Sequence, residues 1–422
     1  MFIRRNLTLL FVLLGLSLLA QEISIDLDRS SGSYKLGETA IFSINTFDAQ
    51  GQPLKEGKLK ALLSNDGGKV LSELTFDLAE TPVPRITGSL PQPGFLRLTV
   101  PGYKNRKNRV GCSGAAFAAE DIKPGSDMPA DFAAFWQQEI KAAEEIPLDA
   151  KISPMPAYSK EGSHSAYAVS FAAPGGRVYG FLTVPESDQA LPALVSVPGA
   201  GPGSSAPGIG LFANQAVFLS INVHNYDPLE PGSTAAEQYK ELNKNGTYSH
   251  HGSNDKRKYY FHRAILGVNR AINYLSQRPE VDSQRIGIYG SSQGGMFALI
   301  MSSINPHIKA AVANVPAGCD HHGFLLERSP GWPRLVKANI PESSETAKYY
   351  DVVNFCRSLK VPVRVIVGFA DTTCSPSSVY AAYNQILSKD KQIINEVDMA
   401  HSVKPSYAQQ NDWLLAYLQD LK

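Results

Sequence analysis

The chain is poor in cysteine and nearly neutral in net charge, so several common functional classes are not expected. It has 422 residues, with 4 cysteines, 9 histidines and a formal net charge of +1. A balanced charge argues against a surface that binds a polyanion such as nucleic acid. No two cysteines form a C-x-x-C pair, so a thiolate zinc site is not expected. At this length the chain can form two domains with a well-buried core.

Long apolar segments are also scarce, and the one that is present lies at the start. In residues 1–20, Arg4 and Arg5 precede an apolar run that reaches Ala20. This order is typical of a secretory signal peptide, and the run is short for a helix that spans a bilayer. An uncleaved membrane anchor is the alternative. We expect cleavage near Ala20, a secreted or periplasmic protein, and no stable membrane insertion afterwards.

The few cysteines all follow the signal segment, at Cys112, Cys319, Cys356 and Cys374. Four cysteines allow three disulfide pairings, and the sequence does not choose among them. We expect small buried thiols, or at most one bridge, rather than catalytic thiols.

What the chain does have, over residues 21–117, is a series of β-type runs. "AIFSINTF", "LSELTFDL" and "GFLRLTV" are separated by turn formers such as "SNDGG" and "PQPG". No helix-period segment interrupts them. The pattern predicts a small all-β domain of the immunoglobulin-like sandwich type. A structural role is the expected one, with glycan binding or a contribution to the active-site rim as alternatives.

Residues 118–147 are predicted to be a linker that contains one helix. Phe132 and Phe135 belong to an apolar stripe at helical spacing, and Asp127 or Asp131 is placed to cap that helix. We expect the stripe to pack against the domain that follows.

Over residues 148–422, strands alternate with helices. "LPALVSVPG", "RIGIYG" and "VPVRVIVGFAD" are apolar strands, and "KRKYYFHRAILGVNRAINYLSQRP" is a long helix. Near-continuous apolar strands of this kind indicate a mostly parallel sheet with helices on both faces.

One of these strands runs directly into "GSSQG", residues 290–294, and a helix follows. This is the G-x-S-x-G nucleophile elbow in the context that the motif requires, and only Ser292 fills its central position. Small flanking residues are needed because neighbouring chains come close at the sharp turn, and the helix N-terminus favours developing negative charge. Ser292 is therefore the predicted nucleophile.

A serine nucleophile needs a histidine base and an acid that orients it. In α/β-hydrolases the order along the chain is serine, acid, histidine. Asp371 follows a later predicted strand, and His401 is the one histidine downstream of it. The alternative is that Asp371 caps a helix and His401 lies in a surface turn. Asp390 and Asp398 are weaker candidates for the acid.

The oxyanion of the reaction needs two hydrogen-bond donors. The backbone N–H of Gln293, the residue after the nucleophile, is the first. The second is expected from the glycine-rich loop "VPGAGPGSS", at the N–H of Ala200. The same glycines are also compatible with ordinary turn chemistry.

From about Pro129 onward, the chain resembles the acetyl xylan esterase/cephalosporin-C deacetylase family of α/β-hydrolases, which is carbohydrate esterase family 7-like. The matching segments are "MPADFAAFW", "YYFHRAILGVNRAINYL", "VDSQRIGIYGSSQGG", "NVPAGCD" and "GFADTTCSPSSVYAAYNQI". The resemblance implies Ser292, Asp371 and His401 as the triad, with the Gln293 and Ala200 amides as oxyanion donors. Because several members of the family form closed oligomers, it also suggests a homo-oligomer.

The chain departs from the family at three loops. Residues 198–200 read Pro-Gly-Ala where the family usually has His-Gly-Tyr, "INVHNYDPLEPGS" replaces an acidic-Arg-Gly-rich segment, and the histidine turn reads "DMAHS". We expect substrate contacts from His224, for which a plain loop role is equally open, and from His321. The cluster "CDHHG" at residues 319–323 looks like a metal site, but we interpret it as pocket lining or a helix cap.

The sequence therefore predicts an α/β-hydrolase preceded by an immunoglobulin-like domain. Its predicted function is that of a secreted serine esterase which removes acetyl groups from acetylated oligosaccharides or polysaccharides, without a metal or organic cofactor. The alternatives are a prolyl-oligopeptidase-type peptidase and a non-catalytic glycan-binding protein with a relic hydrolase domain.

Overall fold

The structure is a computed structural model that describes residues 22–208 and 214–421. The predicted signal peptide, residues 1–20, lies outside the described residues. Among the residues that are described, no helix is both long enough and apolar enough to cross a membrane.

Residues 22–117 form two antiparallel-rich sheets around one shared core, and we call this region the β unit. The sheets have the strand orders β6-β3-β1-β8 and β2-β9-β7-β4-β5. In β3 every second residue is buried, because alternate side chains of a strand point to opposite faces. Phe42 and Ile44 of one sheet share a core with Leu96 and Leu98 of the other. The strands are β1 (Glu22–Leu27), β2 (Ser33–Tyr34), β3 (Ala40–Phe47), β4 (Lys58–Asn65), β5 (Val70–Asp77), β6 (Arg85–Gly88), β7 (Gly94–Thr99), β8 (Lys104–Asn105) and β9 (Cys112–Phe117).

The connecting segment forms helix α1 (Phe132–Glu144), whose apolar stripe is buried as its spacing predicts. The expected cap is not formed. Asp131 occupies the N-cap position, but its side chain makes no capping hydrogen bond. Its carboxylate instead accepts a hydrogen bond from the Tyr349 hydroxyl at 2.5 Å and pairs with Lys256 at 3.4 Å.

The remaining residues build a nine-stranded mixed sheet, in the order β10-β11-β12-β14-β13-β15-β16-β17-β18. The strands from β14 to β18 in this order run parallel, whereas β10, β11 and β12 extend the sheet in antiparallel fashion. The strands are β10 (Lys151–Pro154), β11 (His164–Ala173), β12 (Gly176–Pro185), β13 (Leu191–Val197), β14 (Val217–Ile221), β15 (Val281–Ser291), β16 (Ile308–Asn314), β17 (Val363–Gly368) and β18 (Lys391–Glu396).

Helices cover both faces of this sheet, which explains why its central strands are apolar throughout. Phe261 and Phe297, from two helices on one face, belong to the largest core cluster. On the other face, Leu414 and Leu418 pack over Phe218 and Tyr289. The helices are α2 (Ala235–Leu242), α3 (Tyr260–Ser276), α4 (Gln293–Ile304), α5 (Ser343–Tyr350), α6 (Val352–Cys356), α7 (Pro376–Tyr383) and α8 (Pro405–Asp420).

All four cysteines are free and buried. Burial raises the pKa of each thiol above its usual value, so the thiol and not the thiolate is the stable form. The sequence was compatible with buried thiols or with one disulfide bridge, and in the structure all four cysteines are thiols.

Candidate active site

Ser292 lies on a strained turn between strand β15 and helix α4. Its φ and ψ are 58° and −117°, outside the regions that a serine normally occupies. A Cβ atom on Gly290 would lie 2.4 Å from the carbonyl carbon of Gly294, and one on Gly294 would lie 2.0 Å from the carbonyl oxygen of Val197. Both positions therefore require glycine. The neighbouring hydroxyl of Ser291 accepts a hydrogen bond from Asn314 at 2.8 Å.

The structure brings Ser292, His401 and Asp371 together. His401 Nε2 is 2.9 Å from Ser292 Oγ, and His401 Nδ1 is 2.8 Å from Asp371 Oδ2. The ionised carboxylate can only accept, so Nδ1 carries the proton and Nε2 is free to accept one from the serine hydroxyl. This arrangement can deprotonate Ser292 as it attacks and hold the imidazolium that results.

Asp371, the candidate acid, is itself held in place by hydrogen bonds. Asp371 follows strand β17, is fully buried, and its Oδ1 accepts hydrogen bonds from the backbone N–H groups of Thr373 at 2.7 Å and Cys374 at 3.0 Å. Helix α7 is capped by Ser375 and not by Asp371.

The two weaker candidates for the acid are paired with other side chains. Asp390 pairs with Arg364 at 2.7 Å, and Asp398 pairs with Lys107 at 3.2 Å.

The two candidate oxyanion donors lie on either side of the nucleophile. Gln293 begins helix α4, where the first N–H groups have no partner within the helix. The loop of residues 198–202, which carries Ala200 and which we call the oxyanion loop, passes over the serine. A Cβ atom on Gly199 would lie 3.9 Å from the Cβ of Ser292.

Side chains from other elements hold the oxyanion loop through its carbonyl oxygens. Gln293 Nε2 donates to the carbonyl of Pro198 at 3.2 Å, and the hydroxyl of the fully buried Tyr248 donates to Gln293 Oε1 at 2.5 Å. The Tyr226 hydroxyl donates to the carbonyl of Pro202 at 2.8 Å. These anchors were not predicted from the sequence, because tyrosines in a polar loop carry no motif.

His224 belongs to the same set of anchors. Its Nε2 is 2.7 Å from the carbonyl oxygen of Gly201, and its Nδ1 is 2.8 Å from the hydroxyl of Tyr260. A carbonyl only accepts, so Nε2 carries the proton and Nδ1 accepts from the tyrosine. His224 is 1% exposed, and its burial lowers its pKa to about 4. The expected contact with substrate hydroxyls does not fit this geometry, because both ring nitrogens are already engaged.

His321 is also buried, at 2% exposure, so the expected direct contact with substrate does not fit its position either. Its backbone N–H donates to Asp351 at 2.7 Å. Its Nδ1 has no hydrogen-bonding partner within the described part of the chain. Burial and the neighbouring His322 and His250 lower the pKa of His321 to about 3.

The "CDHHG" cluster does not converge on a common point. Asp320 accepts hydrogen bonds from the Gly125 N–H at 2.7 Å and from Arg328 at 2.9 Å, while His322 Nε2 is 2.9 Å from the Ser344 hydroxyl.

In the described ranges, one group of three His, Cys, Asp or Glu residues brings its ligand atoms within 4.8 Å of one another, and it consists of Asp371, Cys374 and His401. Asp371 and His401 already bind each other there, and Cys374 is a buried thiol whose pKa is raised.

A serine on a strained strand-to-helix turn, with an acid and a histidine after later parallel strands, is characteristic of the α/β-hydrolase class. Two solved structures confirm this fold. An acetyl xylan esterase from Paenibacillus sp. R4 is 23% identical with a TM-score of 0.60, over 71% of this chain and 98% of that one. Acetyl xylan esterase 1 from Thermoanaerobacterium sp. JW/SL YS485 is 20% identical with a TM-score of 0.60, over 71% and 97%.

Within that class the chain belongs to the acetyl xylan esterase (AXE1) family, whose model matches residues 119–329 and 335–421. It is 30% identical over 341 residues to acetyl esterase Axe7A from Xylanibacter ruminicola, which covers 78% of this chain and 75% of that protein. The resemblance found in the sequence is thus confirmed, and the protein is a carboxylic ester hydrolase.

Proposed function

We propose that the protein is a serine esterase that removes acetyl groups from carbohydrate, such as acetylated xylan or xylo-oligosaccharides. The observation that carries this proposal is the hydrogen-bonded chain from Ser292 Oγ through His401 to Asp371. The membership of the AXE1 family supports the acetyl ester as the substrate class.

The reaction runs in two halves on these residues. His401 Nε2 takes the Ser292 proton as Oγ attacks the acetyl carbonyl carbon, and Asp371 stabilises the imidazolium. The N–H groups of Gln293 and Ala200 stabilise the oxyanion. The sugar hydroxyl leaves with the proton from Nε2, and the acetyl group remains on Oγ. Water, deprotonated by the same nitrogen, then attacks the acetyl-enzyme, and Nε2 returns that proton to Ser292 Oγ as acetate is released.

We further propose that residues 1–20 are a signal peptide and that the mature enzyme is secreted or periplasmic. Residues 21–117 form a domain of immunoglobulin-like type in this proposal, residues 118–147 are the linker and helix, and residues 148–422 are the catalytic domain. The charged and apolar order of residues 1–20 supports the first assignment. The shared core of the two β-unit sheets supports the second.

The test uses the twin serines as a matched pair. Ser292→Ala should lower kcat on an activated acetate ester by roughly 10⁵-fold or more, as loss of a triad serine does in other hydrolases. Ser291→Ala removes only a hydroxyl bonded to Asn314 and should stay within about tenfold of wild type. A Ser292→Ala enzyme that keeps its activity would contradict the triad.

The substrate class is tested with intact enzyme and three probes. Mass spectrometry of acetylated xylo-oligosaccharides should show loss of acetyl groups and also report which positions are cleaved. Short proline-containing peptides should remain intact, and their cleavage would favour a peptidase instead. A fluorophosphonate should label Ser292, whereas an unlabelled protein would indicate a relic hydrolase that only binds glycans.

A further inference from the structure

The β unit lies directly against the loop that carries the proposed catalytic acid. We call residues 369–375 the acid loop. The Phe95 ring meets the Phe369 ring edge to face, with centroids 5.0 Å apart. A Cβ atom on Gly114 would lie 2.3 Å from the carbonyl oxygen of Phe369. The two backbones therefore touch at this point, with no room for a side chain between them.

One side chain of the β unit reaches Asp371 itself. Arg97, on strand β7, donates a hydrogen bond from Nη2 to the backbone carbonyl of Asp371 at 3.0 Å. Asp371 in turn presents its carboxylate to His401 Nδ1 at 2.8 Å. Fixing the carbonyl restricts the backbone from which that carboxylate projects.

The β unit also holds the segment that follows the acid loop. Asp66 is 3% exposed, and its Oδ2 accepts a hydrogen bond from the Ser377 N–H at 3.2 Å, in the first turn of helix α7. A carboxylate at this end of a helix is favoured by the helix dipole. Burial raises the pKa of Asp66, while the nearby Arg97 and the hydrogen bond from Ser377 act in the opposite direction.

Contacts extend to the turn that carries the proposed base. Lys107 of the β unit pairs with Asp398 at 3.2 Å, three residues before His401. A Cβ atom on Gly32 would lie 2.9 Å from the side chain of Val397. The β unit thus contacts both chain segments whose side chains must meet for the triad to form.

We propose that the β unit is part of the catalytic scaffold, and that Arg97 is a positioning residue which holds Asp371 in line with His401. This inference rests on the proposed esterase function, because it concerns the acid of that triad. It assigns the β unit a role in turnover that a domain serving only to add stability or to bind glycan would not have.

The experiment compares Arg97 variants with a control at the same interface in the full-length enzyme. Lys69→Met removes a cation of the β unit that pairs with Glu327 at 2.9 Å, away from the acid loop. For each variant, kcat and KM are measured on an activated acetate ester, with the urea midpoint as a check on folding. Arg97→Met should lower kcat at least tenfold and leave KM within about twofold, since Arg97 acts on Asp371 and not on the substrate.

A rescue variant distinguishes a positioning role of Arg97 from a general contribution to the stability of the fold. Arg97→Lys keeps a cationic donor and should recover part of the lost kcat, whereas Lys69→Met should match wild type. If Arg97→Met yields no folded enzyme, Arg97→Gln takes its place under the same criteria. The inference is overturned if the kcat of Arg97→Met, or of its Gln substitute, stays within twofold of the kcat of Lys69→Met, or if the loss of activity lies in KM. It is also overturned if the kcat of Arg97→Lys is no higher than that of Arg97→Met or its Gln substitute.

Failure of this inference is distinguishable from failure of the proposed function. If Ser292→Ala abolishes turnover while the Arg97 variants remain fast, the esterase assignment stands and the positioning role falls. If Ser292→Ala itself remains active, the triad is wrong and the positioning role falls with it.

Discussion

At the scale of single residues, the site depends on side chains that fix backbone carbonyls. The oxyanion loop has three of its carbonyl oxygens bonded, by Gln293, His224 and Tyr226. A preorganised donor is effective because it does not have to reorient when charge develops. We therefore expect the residues that hold the loop to affect the rate without contacting substrate.

Tyr248→Phe tests whether the side chains that hold the oxyanion loop affect the rate, and it removes a single oxygen atom. The change removes the hydroxyl that donates to Gln293 Oε1 and leaves a buried amide oxygen unpaired, at a cost of about 1–3 kcal/mol in the free energy of unfolding. We expect kcat to fall about tenfold, because the Gln293 side chain that holds Pro198 is loosened. Steady-state kinetics and urea unfolding measure the two effects.

The control for this variant is Tyr274→Phe on helix α3, which removes a hydroxyl that accepts a hydrogen bond from Arg278. It should leave kcat unchanged. Equal kcat values for the two variants would speak against the anchoring role of Tyr248.

At the scale of secondary-structure elements, the elbow depends on how closely helix α4 approaches strand β13. That approach is possible because Gly294 lacks a side chain, and it brings the start of the helix beside the loop that leaves β13. The strand, turn and helix are local features, so the pattern of residues 285–299 predicts them well. Which loops face the elbow depends on the strand order of the sheet, which no local pattern contains.

Gly294→Ala should force helix α4 away from strand β13. Its Cβ would lie 2.0 Å from the Val197 carbonyl oxygen, so backbone must move, and overpacking of this kind costs roughly 1–3 kcal/mol. We expect kcat to fall about a hundredfold because Ser292 and the oxyanion loop move apart. Thermal unfolding and activity on an acetate ester report the result.

Gly94→Ala is the matched control, since its nearest atom would be 3.6 Å away in ordinary contact. If Gly294→Ala is as active and as stable as Gly94→Ala, then the close approach does not matter.

At the scale of the whole molecule, several histidines are buried in their neutral form. Burial lowers the pKa of His224 to about 4 and that of His321 to about 3, and it also lowers those of His250, His262 and His322. In the unfolded chain, histidines become protonated near pH 6.5. In the folded protein, these buried imidazoles stay neutral until the pH falls further below 6.5. Stability is therefore lost as the pH falls from about 6.5 towards the folded-state pKa values.

We expect the free energy of unfolding to be level above about pH 7 and to drop steadily between pH 6.5 and pH 5. The full shift of His224 alone corresponds to a loss on the order of 3 kcal/mol by pH 4. Urea unfolding at closely spaced pH values measures this curve, and His224→Gln should make its slope smaller. Asp351 acts in the opposite sense, because burial raises its pKa to about 7 and its protonation stabilises the folded state as the pH falls below 7. An equal slope in wild type and His224→Gln would therefore contradict the buried, neutral state of His224.

The sequence by itself determined the α/β-hydrolase class and placed Ser292, Asp371 and His401 at the ends of strands. It could do so because an elbow, an apolar strand and the residue after it are encoded in a few consecutive positions. Only the tertiary structure decided what holds these residues. Arg97 lies 274 positions before the carbonyl it binds, and Tyr248 lies 45 before Gln293. Such contacts arise from the way whole elements pack, so spacing along the chain carries no signal for them.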